Sequence, residues 1–239
     1  TRSLSSAASD VYKRQVLPRA RTEGHQTFKL KVGFDMATDS LAVSMIQDGL
    51  SAFEAIACDA NQAWSLDQAH SFVASISDVP LKWLEEPLPV FAQTAQWQSL
   101  AQDCPIPLAG GENLSGNAEF SDAINLGHLS IIQPDVAKWG GITGCLAVAK
   151  TALGAGRRYF PHFLGAGIGL AASAELLAAV GGDGLLEVDV NDNPLRSLFF
   201  DGTKPVSEGK WICNNRVGLG VETLPRALNQ YQTLFAEMR

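Results

Sequence analysis

One regularity constrains the fold of this chain more than any other. Seven short apolar runs each end in an ionisable residue: Lys31, Asp59, Glu85, Glu112, Asp135, His162 and Glu187, at intervals of 28, 26, 27, 23, 27 and 25 residues. The runs are TFKLKV, AIACDA, LKWLEE, IPLAGGE, LSIIQPD, RYFPH and LLEVDV. Between them lie helix-like stretches at 37–51, 66–77, 93–102, 115–126, 141–155 and 167–180, several with a start signal such as Ser65 ahead of LDQAHSFVASI. Strand then helix, repeated, makes a parallel sheet with covering helices. One unit of an eight-unit α/β barrel takes about 30 residues, and such barrels gather their reactive groups at the carboxyl ends of the strands. The expectation is therefore an α/β fold of the TIM type, with the ionisable groups converging on one mouth. One such residue in phase would be unremarkable; seven are hard to place by chance.

The first run poses a problem of its own. Lys29 and Lys31 stand one residue apart, hence on the same side of a strand. A solvated edge strand would tolerate them. In a barrel the same face points to the axis, and a second cation beside Lys31 lowers its pKa toward the range a general base needs.

Bulk properties exclude several classes. The chain has 239 residues, 46% hydrophobic and 18% charged, enough for a substantial core. A net charge of −7 without a basic stripe argues against a nucleic-acid binder. No charge-free run reaches transmembrane length. Cys58, Cys104, Cys145 and Cys213 are widely spaced and fit reduced thiols of a cytoplasmic protein. The opening TRSLSSAASDVYKRQ (1–15) lacks the pattern of a signal peptide and reads as an adapter-like, non-native leader, so the native sequence is expected to begin near Val16.

The strand-end residues divide into two groups. Asp59, Glu85 and Glu112 end consecutive strands, and three carboxylates at one mouth repel unless a cation joins them. Hard oxygen donors suit Mg²⁺. Asn61 could orient a ligand or cap its loop. Asp135 and His162 end the next two strands, and a carboxylate on the imidazole raises its pKa and fixes its tautomer. That makes His162 an acid or base facing Lys31 across the barrel. Glu187, on the last strand, is expected to be a protonated or a hydrogen-bonding carboxyl near the substrate. Lys138 either reaches the carboxylates or serves as the base.

The strings KLKVG, CDAN, WLEEP, GGEN, QPDVAKWGGITG, PHFLGAGIG and LLEVD occur in this order over about residues 25–220. Together they resemble the catalytic domain of the enolase superfamily, in its mandelate racemase/muconate lactonizing enzyme branch. The resemblance implies a modified (β/α)7β barrel in which Asp59, Glu85 and Glu112 bind Mg²⁺, Lys31 is a base with Lys29 as helper, and the Asp135–His162 dyad marks the mandelate racemase subgroup. It implies abstraction of the proton α to a carboxylate through a metal-stabilised enediolate, with Glu187 hydrogen-bonded to the carboxylate. The favoured outcome is dehydration of a sugar acid. Racemisation or epimerisation of a 2-hydroxy acid is the alternative, and an inactive barrel fragment is a third reading. The implied partner is a small carboxylate, and the implied full-length form is a homo-oligomer.

The resemblance implies a capping domain ahead of the barrel; that domain and the first βα unit are expected to be missing from the chain as written. The domain expectation is a leader at 1–15, a partial barrel at 16–222 and a C-terminal helix at 223–239. The chain as written is expected to be poorly active. LGAGIG (164–169) reads as a tight strand-to-helix turn rather than a phosphate loop; Trp64 is a candidate pocket residue and Trp83 a core residue.

Overall fold

The computed structural model describes residues 16–200, 206–213, 217–221 and 223–232, so the leader at 1–15 lies outside the described residues. After a short helix α1 (Leu17–Thr22), six βα units follow: β1 (Thr27–Lys31), α2 (Met36–Gln47), β2 (Ala55–Asp59), α3 (Leu66–Ser75), β3 (Leu84–Glu85), α4 (Thr94–Asp103), β4 (Leu108–Gly110), α5 (Gly116–Leu126), β5 (Ile131–Ile132), α6 (Gly141–Gly154), β6 (Arg158–Tyr159) and α7 (Gly167–Val180). The six strands form one parallel sheet in sequence order. Among the described residues no helix is long and apolar enough to cross a membrane.

Alternation along each strand builds two apolar layers. Phe28, Leu30, Ile56, Cys58, Leu84, Leu108 and Ile132 face the helices and join one large core. The opposite side carries Ala57, Trp83, Ala109, Ile131 and Phe160, which pack together with Leu185 on the barrel axis. Each fully buried Leu, Ile or Phe contributes about 1.5–3 kcal/mol, so the outer layer carries most of the stabilisation. Lys29 and Lys31 lie on the axis side, since the residues between and before them, Leu30 and Phe28, belong to the outer core.

Local signals fix the helix starts. Asp35 caps α2 by accepting from Thr38 N at 2.9 Å, while Asp39 Oδ2 gathers the amides of Gly33 and Phe34 at 2.8 and 2.9 Å. Ser65 and Gln68 form a reciprocal capping box at α3. The 164–169 glycines serve close packing: a Cβ on Gly169 would lie 2.1 Å from the Phe163 ring.

Three expectations change. Among the described residues the run LLEVDV (185–190) joins no ladder, and Leu185 and Glu187 instead hold it through side chains. The expected C-terminal helix is a 3₁₀ helix at Arg226–Tyr231, and residues 233–239 lie outside the described residues. Before it, β7 (Val206–Ser207) and β8 (Lys210–Trp211) make a small antiparallel hairpin that the alternation did not announce. Its turn carries Gly209 beside Glu208.

Candidate active site

The ladder register brings the strand ends to one level. Lys31 pairs with Asp59, Asp59 with Glu85, and a separate bridge joins Asp135 to His162. Residues in register across a parallel sheet point the same way, so these side chains share the axis-facing side.

Glu112 arrives by a different route. The residue of β4 in register with Glu85 is Ala109, so unbroken alternation would give the axis face to residue 111 and turn 112 toward the helices. Gly111 breaks that alternation with a φ of 135°, and Glu112 then meets His162 and Lys138 on the axis side. Only glycine adopts this backbone readily.

The site is a continuous network of opposite charges. Lys29 Nζ lies 2.7 Å from Glu85 Oε1, 2.6 Å from Glu187 Oε1 and 3.8 Å from Asp59 Oδ2. Burial opposes its charge, but the three carboxylates outweigh burial and raise its pKa above that of an ordinary lysine. Lys29 therefore remains a cation shared by three acids. Lys31 Nζ donates to Asp59 Oδ2. Asp59 also accepts from Asn61 N at 2.8 Å and Asn61 Nδ2 at 3.3 Å, so Asn61 closes the loop over Asp59. Burial and the neighbouring Glu85 raise the Asp59 pKa against the opposing pull of both lysines.

At the other end, His162 Nδ1 stands 2.7 Å from Asp135 Oδ2, and its Nε2 contacts Glu112 Oε2. Burial disfavours the imidazolium, yet the Asp135 and Glu112 bonds prevail and lift its pKa to about 9. Burial likewise raises Glu112, but His162 and Lys138 bring it down to about 2. Lys138 Nζ lies 3.3 Å from Glu112 Oε1. Glu187 Oε2 accepts from Phe163 N at 3.4 Å and lies 3.8 Å from His162 Nε2, which ties the two ends together. The ten residues expected to act in catalysis, substrate binding or metal binding thus fall in one cluster.

Three neighbours lay outside that selection. Glu86, buried and with a positive φ of 39°, accepts from Asn113 Nδ2 at 3.0 and 2.8 Å, while Asn113 also donates to Glu112 at 3.1 Å. Gln133 Nε2 donates to Glu85 Oε2 at 2.8 Å. The signal for Gln133 was its place two residues before Asp135, on the same face. Trp83 Nε1 donates to the same Glu85 oxygen at 3.1 Å, so the expected core residue also touches the site. Trp64, the expected pocket residue, instead stacks on Phe72 in the outer core at 4.4 Å.

A cavity of about 730 Å³ adjoins the network, lined in part by Lys29, Lys31, Trp83, Gln133, Phe160 and Glu187. A smaller one of about 320 Å³ lies between Trp97, Leu126 and His128 and touches the network only through Glu86 and Asn113. The larger cavity adjoins the chemistry. The donor set fits a hard divalent cation, since Asp59, Glu85 and Glu112 are buried oxygen donors on consecutive strands. Their oxygens are engaged here by Lys29, Lys31, Lys138 and His162, and among the described residues no three His, Cys, Asp or Glu side chains converge as a ready-made ion site.

A family model described as enolase C-terminal domain-like matches residues 12–227. The chain is 27% identical over 237 residues to D-galactarolactone cycloisomerase of Agrobacterium fabrum, covering 96% of this chain and 61% of that protein. The crystal structure of a mandelate racemase/muconate lactonizing enzyme from Bordetella bronchiseptica is 47% identical with a TM-score of 0.83, over 89% of this chain and 59% of that one. L-talarate dehydratase from Polaromonas sp., solved with Mg and L-glucarate, is 28% identical with a TM-score of 0.80, over 93% of this chain and 59% of that one. The curated relatives include sugar-acid dehydratases and cycloisomerases, and the chain spans 50–61% of the length of the four that match most of it. The sheet is that of a TIM-type barrel, and the chain belongs to the enolase superfamily, in its mandelate racemase/muconate lactonizing enzyme family.

Proposed function

We propose that this chain carries the catalytic apparatus of a Mg²⁺-dependent enzyme that removes the proton α to the carboxylate of a sugar acid and expels the β-hydroxyl as water. The observation that carries this reading is the placement of two differently supported proton-transfer groups on one carboxylate network. Lys31 rests on Asp59 at one end, and His162 rests on Asp135 at the other.

Asp59, Glu85 and Glu112 would hold the ion, which when bound neutralises charge on the substrate carboxylate. That the Polaromonas dehydratase was solved with Mg and L-glucarate supports a Mg²⁺ ion and a sugar acid as the ligands. Lys31 Nζ, on a partly exposed side chain that lines the large cavity, gives its own proton to solvent and then takes the α-proton. Lys29 holds Glu85 and Glu187 in place with a fixed positive charge. His162 keeps its Nδ1 bond to the Asp135 carboxylate, which favours the imidazolium. Its Nε2–H can pass a proton to the leaving hydroxyl, and the C–O bond breaks as water forms. The α-carbon loses one proton, the β-carbon loses hydroxide, and the enol product relaxes to a 2-keto acid. Asp135 keeps the ring in the tautomer that presents Nε2.

The test is incubation of the chain in D₂O with Mg²⁺ and a panel of sugar acids, followed by NMR. The expected result is slow, Mg²⁺-dependent deuterium incorporation at the α-carbon together with a 2-keto acid, both lost in Lys31→Ala. Deuterium without 2-keto acid would make the enzyme a racemase or epimerase. Exchange that persists without Mg²⁺ or without Lys31 would contradict the reading.

A further inference from the structure

Gln133 is 3% exposed and sits two residues before Asp135 on the axis-facing side. Its bond to Glu85 spans an entire strand, because Gln133 follows β5 and Glu85 ends β3, with β4 between them. β4 presents small residues along that path. Ala109 is in register with both Glu85 and Ile131, and a Cβ on Gly111 would come 2.9 Å from Gln133 N. The amide orientation follows from its partner. A carboxylate only accepts, so the side-chain NH₂ must face Glu85.

The result is a divided carboxylate. Glu85 Oε2 receives two neutral donors, Gln133 Nε2 at 2.8 Å and Trp83 Nε1 at 3.1 Å. Oε1 receives the Lys29 ammonium at 2.7 Å. The arrangement has a cost on the other side of the amide, since the buried Gln133 Oε1 has no hydrogen-bond partner among the described residues. A residue selected for packing alone would not keep an unsatisfied carbonyl there; an apolar side chain of the same length would fill the space better.

We propose that Gln133 is a positioning residue for the metal ligand Glu85, holding Oε2 together with Trp83 and so fixing the orientation of the carboxylate that would bind the cation. This rests on the metal-site reading given above. Outer partners that orient a metal ligand change affinity by 10–100-fold when removed.

The test is Gln133→Met in the full chain, with Mn²⁺ affinity read by electron paramagnetic resonance and thermal stability read in the metal-free protein. The expected result is Mn²⁺ binding weakened about 10–100-fold with a midpoint unchanged or raised, because the orphaned carbonyl is gone. Trp83→Phe, which removes the other donor to the same oxygen, is expected to weaken Mn²⁺ binding as well. Unchanged affinity in both variants overturns the proposal while leaving the metal site intact. Loss of the fold in Gln133→Met, with Trp83→Phe binding normally, makes Gln133 a packing residue and also overturns it. Failure of the unaltered chain to bind Mn²⁺ would instead remove the metal-site reading itself, and this inference with it.

Discussion

The His162 ring is held between two carboxylates from neighbouring strand ends: Nδ1 lies 2.7 Å from Asp135 Oδ2, and Nε2 faces Glu112 Oε2. Both contacts favour the imidazolium, and together they outweigh burial. The pKa rises from 6.5 to about 9 on folding. The associated stability is complete below about pH 6.5 and disappears as pH climbs through about 9. Urea denaturation of the metal-free chain should therefore show wild type more stable than His162→Gln by roughly 2–3 kcal/mol at pH 7, with the gap closing toward pH 10. A gap that is constant with pH would contradict the ion-pair assignment.

Among the described residues Lys29 is the ammonium placed among Glu85, Glu187 and Asp59. Removing it leaves buried carboxylates facing one another. Lys29→Met should cost about 3–5 kcal/mol by denaturant unfolding, and Mg²⁺ should restore part of the loss by joining the same acids. Equal destabilisation with and without Mg²⁺ would show that the acids do not share a cation.

Glu86 gives the opposite pH dependence to a normal surface acid. Burial, then Glu112, raise its pKa to about 7, against the opposing Asn113 bonds. A carboxyl whose pKa rises on folding costs stability as pH passes from the unfolded value near 4.5 up to 7. Glu86→Gln does not titrate, so in the metal-free chain its stability relative to wild type should increase between pH 4 and pH 8, by roughly 2–3 kcal/mol. Parallel stability curves would sink this assignment.

Gly111 turns Glu112 to the axis. Alanine there would adopt a positive φ and bring its Cβ 2.9 Å from Gln133 N, a backbone atom that cannot swing aside. Gly111→Ala should destabilise the fold by about 1–3 kcal/mol and weaken Mn²⁺ binding, both measurable on purified protein. Full retention of metal affinity would mean that Glu112 does not depend on that turn.

Much of this arrangement is legible in the residues themselves. The alternation in TFKLK assigns Phe28 and Leu30 to the helices and both lysines to the axis, and Ser65 announces the start of α3. The acids at 59 and 85 follow from strand length alone. Glu112 is legible by type but not by phase, because a single left-handed glycine decides which way it points. Gln133 and Glu86 escape a search for charged strand ends: one is neutral, and the other stands next to a stronger candidate. The run at 185–190 alternates as a strand should, yet pairing depends on a neighbour's backbone, and here side chains such as Glu187 on Lys29 anchor it instead.

The account rests on Asp59, Glu85 and Glu112 sharing one divalent ion, and Mn²⁺ titration followed by electron paramagnetic resonance tests that directly. One ion should bind per chain, and Asp59→Asn, Glu85→Gln and Glu112→Gln should each weaken or abolish binding while the protein remains folded. An unaltered chain that takes up no Mn²⁺, or three variants that bind it as tightly as wild type, would contradict the account.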